Sequence, residues 1–135
     1  MTSLDDPAFV AAFRDTSLPP SAFHHRDHVR MAWLYLRECG PVDAPARFAV
    51  DLQRFAVAKG VPGLYHATVT GAYMALISER IVTTPTAVWD DFAAAHPDLF
   101  TWKPGVLDRY YSSERLWSPL ARAQFLLPDR LDPQA

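Results

Sequence analysis

Three of the five histidines, His24, His25 and His28, fall in one short stretch between Phe23 and Leu36. That stretch lacks Gly and Pro and is built of Ala, Leu, Met and Arg among its polar and aromatic members, so it is expected to be helical. On a helix His25 and His28 lie at i,i+3 and His24 and His28 at i,i+4, and either pair can aim two imidazoles at one place. Such a pair gives a metal two nitrogen ligands; it also lets two histidines hold a water or an anionic substrate. A third imidazole is expected from His66, because His66, Thr70, Tyr73 and Ile77 recur at i, i+4, i+7 and i+11 along one face of a later helix.

A site made of His25, His28 and His66 would keep coordination positions open for water or substrate. The ion would be divalent, and nitrogen ligands do not distinguish zinc, iron and copper. Arg30 stands one turn below the histidines, where a guanidinium can hold a carboxylate or phosphate in two-pronged fashion. Its structural alternative is an ion pair with Glu38, Asp51 or Glu79. Tyr35 and Thr70 are the candidate donors lining the substrate pocket, and Tyr73 and Tyr111 the candidate proton donors, although aromatic residues at helical spacing more often belong to a core. Asp27 points elsewhere on the helix and fits the helix dipole or an arginine. His96 stands alone before Pro97, where an imidazolium would cap a helix end.

Two other readings compete with the metal centre. In one, the same histidines and Arg30 bind an anionic small molecule without any metal. In the other, the imidazoles cap helices or bond carbonyls in a packed core. Hydrolase, kinase and thiol-enzyme signatures are missing: there is no Gly-x-Ser-x-Gly elbow, no Gly-rich phosphate loop and no His-Glu-x-x-His pattern.

The elements that must position these residues are read from breakers and caps. A first helix is expected from Asp6 and Pro7 to about Ser17, and the histidine helix from a cap at Ser21 to Cys39, stopped by Gly40-Pro41. A third runs from a cap at Asp43 to Gly60, a fourth from Tyr65 to Ile81, and a short fifth from Ala87 to His96. Short helices follow, with Leu120 to Leu126 the clearest. No alternating β-branched run appears, so the fold is expected to be all-α: one helical domain over 1–135, with four main helices and an aromatic C-terminal cover.

Composition bounds the function. With 135 residues and 50% hydrophobic content the chain can bury one core. A net charge of −2 and a pI near 6.2 offer no field for nucleic acid. No signal-peptide pattern and no apolar run of ~20 residues appear, so a cytoplasmic protein without membrane spans is expected, acting on a small molecule. One cysteine, Cys39, excludes a multi-thiolate site within the chain. Four Trp, five Tyr and eight Phe are many for one core and allow a homodimer.

The motifs His25-Arg-Asp-His28-Val-Arg30-Met-Ala-Trp33, Tyr65-His66-Ala-Thr68-Val-Thr70 and Tyr110-Tyr111-Ser112 resemble a family of small bacterial all-helical proteins of uncharacterised function. The resemblance spans most of the chain and implies the helical fold. In that family the second histidine motif continues with Glu, whereas this chain has Ala67. If the Glu serves as ligand or base, this chain lacks it or replaces it with water.

Overall fold

The computed structural model describes residues 4–101 and 105–130. Helix accounts for 72% of the described residues, with no strand among them, in agreement with the all-α expectation. The chain forms two compact units, Met1–Tyr65 and His66–Ala135.

The first unit begins with α1, Asp6–Arg14, whose N-cap is Asp5, with Oδ1 accepting from the Ala8 amide at 2.9 Å. Pro7 sits in the first turn, where its missing N–H costs nothing. A 3-10 turn over Pro20–Ala22 leads to α2, His25–Ala58. Its N-cap is His24, not Ser21, and the His24 amide donates to Asp27 Oδ2 at 2.9 Å. Asp27 thus satisfies an orphan donor at the positive end of the helix, a local role for its carboxylate.

Gly40 does break this helix, at φ +82° and ψ 169°, in the left-handed region that side chains avoid. No loop follows it. Pro41 starts the next helical segment at once, so two expected helices form one bent element, and Asp43 lies inside it instead of capping it.

Two arginine pairs set how α1 lies on α2. Arg30 binds Asp6 and Arg14 binds Glu38, and each pair spans 24 residues. A constant offset means that α1 and the first segment of α2 run parallel, with the 15–24 connection returning the chain. Phe13 fills the space beneath, fully buried, with its ring 5.1 Å from Phe23, 5.8 Å from Phe48 and 5.3 Å from Phe55. Burying one such ring stabilises the unit by about 2–3 kcal/mol, more than any polar pair on its surface.

The second unit holds α3, Ala67–Thr83, and α4, Trp89–Ala95. Two 3-10 turns, Pro97–Leu99 and Val106–Arg109, lead to the short helices α5, Ser113–Leu116, and α6, Pro119–Ala123. Helices this short need caps, and Ser112 and Ser118 supply them, accepting from the Arg115 and Ala121 amides at 3.2 and 3.1 Å. Beyond α6 the Phe125 ring lies over Gly71, where a Cβ would come within 2.7 Å of it.

Candidate functional site

Among the described residues no three His, Cys, Asp or Glu side chains are placed to hold one ion. His66 gives the physical reason. It is the N-cap of α3, with Nδ1 accepting from the Val69 amide at 3.1 Å and Nε2 2.8 Å from the Leu116 carbonyl oxygen. Both ring nitrogens are committed, one as acceptor and the other as donor, so no lone pair remains for a metal. Burial pushes this imidazole below its ordinary pKa, with the Leu116 carbonyl opposing, and it stays neutral at pH 7.

His28 packs its ring on Phe23 at 3.9 Å between centroids. Burial, aided by the nearby His25, pushes its pKa down to about 4. His25 opens α2 half-buried, and His24 is solvent-facing, its side chain 75% exposed. Arg30, the expected substrate anchor, is engaged within the first unit: Nη2 donates to the Leu4 carbonyl at 2.8 Å and to Asp6 at 2.7 Å, and the guanidinium lies over the Phe9 ring. It ties down the start of α1, with a partner other than Glu38, Asp51 or Glu79.

The second motif is a clamp on the chain after α5. Thr68 is fully buried, its one hydroxyl proton shared between the carbonyls of Ala121 at 2.7 Å and Gln124 at 2.9 Å, and its oxygen accepts from the Leu126 amide at 3.1 Å. Tyr111 was expected to be a proton donor; its hydroxyl instead donates to the Leu126 carbonyl at 2.7 Å. Ser112 donates to Asp129 through both its amide and its hydroxyl, at 2.7 and 2.6 Å. Thr70 is half-buried on α3, its amide bonded to the His66 carbonyl.

Tyr73 is buried, and burial together with Asp108 and Asp98 pushes its pKa up to about 12, so its phenol keeps its proton at neutral pH. Further along α3, Arg80 forks onto Asp98 with two 2.8 Å bonds and lies 3.2 Å from His96 Nδ1. Since Arg has no acceptor, Nδ1 accepts and the proton sits on Nε2, a buried atom with no partner among the described residues. Burial and Arg80 lower the pKa of His96, so it is a neutral imidazole and not the imidazolium cap its position suggests.

Polar side chains meet a groove at a place that local sequence patterns do not mark. An open groove of about 800 Å3 runs along the first unit between α1 and the first segment of α2. Pro7, Val10 and Ala11 line it from α1, and Leu34 and Tyr35 from α2. Arg14 closes one side, its Nε donating to the Tyr35 hydroxyl at 3.2 Å and its Nη2 paired with Glu38. Tyr35, expected to line a pocket, does so, and its hydroxyl donates to Asp51 at 2.6 Å. Arg14 lies 3.9 Å from Asp51, which also accepts from Arg54 at 2.8 Å. The only sequence signal for this network was the i,i+7 recurrence of Pro7 and Arg14 around the small residue Ala11, which leaves one face of α1 indented.

Compared with known proteins, the chain matches no family model, no curated protein and no solved structure. No helix among the described residues is long and apolar enough to cross a membrane.

Proposed function

We propose that this chain is a helical small-molecule-binding protein that works without a resident metal, and that its ligand lies in the groove between α1 and α2. The observation that carries this reading is the groove itself: an open groove of ligand size with an aliphatic stretch of wall and the guanidinium groups of Arg14 and Arg37 among its charged residues. In this reading His28 and His66 do not supply the binding groups. His66 is spent on backbone, and His28 on a ring stack that supports α2 from below. Arg30 contributes indirectly, because it neutralises Asp6 on the groove wall and so keeps that side from repelling an anion.

The test is a two-dimensional amide NMR titration with octan-1-ol and with octanoate. Shifts concentrated on Val10, Ala11, Leu34 and Tyr35 are expected. The variant Ala11→Trp fills the groove from an exposed position and should abolish those shifts while the far-ultraviolet circular dichroism stays unchanged. Equal shifts in the filled variant, or none in the original chain, would overturn the proposal.

A further inference from the structure

Within that reading, which this inference assumes, the groove also indicates what kind of molecule it takes. The acids on or beside it differ in what holds them. Asp6 is bound by Arg30, and Asp51 by Arg54 and the Tyr35 hydroxyl. Asp15 accepts from the Ser17 amide. Glu38 is held by Arg14, with its side chain 55% exposed and the Cys39 thiol as a weak second contact at 3.6 Å. It is the acid that can leave most readily.

Arg14 differs from Glu38 in the opposite way. Its Nε is fixed by Tyr35, a residue with no exposed surface, and Asp51 stands behind it at 3.9 Å. The guanidinium therefore keeps its place when Glu38 moves, and its Nη1 makes no hydrogen bond to the described residues. Arg14 already holds one carboxylate, that of Glu38, through Nη2, which makes it a carboxylate receptor held in place before any ligand arrives. Beside it Val10, Ala11 and Leu34 form an aliphatic wall, and Arg37, its guanidinium over the Trp33 ring, adds a second positive charge to the rim.

We infer that the groove takes a monocarboxylate with an aliphatic tail, whose carboxylate displaces Glu38 from Arg14 while the tail lies along α1. Glu38 is then an internal competitor that sets the affinity. No covalent step is involved; one ion pair replaces another.

Octanoate, octan-1-ol and octylamine, titrated against the full chain, test this. Octanoate should bind tightest, and more weakly as salt rises. Glu38→Gln removes the competing charge and should tighten octanoate about fivefold, with octan-1-ol unchanged. Arg14→Gln should weaken octanoate by about tenfold or more and leave octan-1-ol alone. Circular dichroism melting of both variants shows whether they remain folded, and the octan-1-ol affinity reports an intact groove. If octan-1-ol and octanoate bind equally and neither substitution separates them, the carboxylate inference fails and the groove reading stands. Tightest binding by octylamine would overturn the inference as well. If none of the three binds, both fall together.

Discussion

The polar network beside the groove of the first unit and the clamp of the second use side chains in opposite ways. In the first, side chains bond one another at a half-exposed face: Arg14 with Glu38 and Tyr35, Tyr35 with Asp51, Asp51 with Arg54. In the second, His66, Thr68 and Tyr111 bond backbone carbonyls of Leu116, Ala121, Gln124 and Leu126 from buried positions. Of these, the Arg14–Glu38 pair can exchange partners, because both members keep access to water. A buried side chain bonded to backbone cannot, because letting go would leave an unpaired group in an apolar interior. Exchange is what a binding face needs, and permanence is what a clamp needs. The contrast agrees with the proposal that puts the ligand in the first unit, even though the second carries one of the predicted histidine ligands.

Substitutions that sharpen this contrast should fall in a definite order. Thr68→Val keeps the shape and removes the hydroxyl, leaving the Leu126 amide and two carbonyls without their partner. We expect a loss of about 3 kcal/mol in urea unfolding, the largest of the set. His66→Ala should follow at about 2–3 kcal/mol, because the Leu116 carbonyl and the Val69 amide both lose a bond. An unchanged midpoint for both variants would mean that the clamp is ornamental and the contrast void.

Acid offers a second handle. Well above pH 6.5 His28 is neutral whether folded or unfolded, and its contribution is complete. As pH falls from 6.5 toward about 4, the unfolded chain takes up a proton that the folded chain refuses, and stability drops. His28 alone should remove about 3 kcal/mol across that window. His66 and His96, also lowered, act in the same direction. His28→Phe keeps a ring against Phe23 without a titrating group and should flatten the urea-midpoint profile there. A profile identical to that of the original chain would assign the acid sensitivity to other groups.

The first-unit substitutions should be milder. Tyr35→Phe loses one bond to Asp51 and one to Arg14, and calorimetry should show about 1–1.5 kcal/mol. Glu38→Gln breaks a pair whose members are largely exposed and should cost less than about 1 kcal/mol, shrinking further with added salt. A Glu38 variant that melts as early as the Thr68 variant would erase the distinction between exchangeable and permanent pairs.

The helices were legible because their signals are local. The Gly40-Pro41 break, the role of Asp27, and helices near 67–83 and 89–95 follow from propensity, caps and breakers within a few residues. What joins residues across long separations was not legible. Spacing correctly placed His66 at the start of a helix, yet its fate is decided by a carbonyl at Leu116. Likewise Tyr35 was recognised as a pocket residue, but nothing local could pair it with Asp51 and Arg14. A histidine cluster in sequence is a statement about one helix; a site depends on what that helix meets.

The Thr68 clamp also has a consequence in time. Its hydrogen bonds join residues 53 to 58 positions apart, whereas the Arg30 and Arg14 pairs join residues 24 apart. Closing the longer loop costs only about 0.7 kcal/mol more, so the difference falls chiefly on the order of events. On a ribosome Thr68 emerges well before the carbonyls and the amide it binds. The first unit is expected to close while the second is still being synthesised, with α3 waiting until Leu126 has left the exit tunnel. A translational pause in the codons after α6 would therefore hold the protein half-folded, with a finished groove and an open clamp.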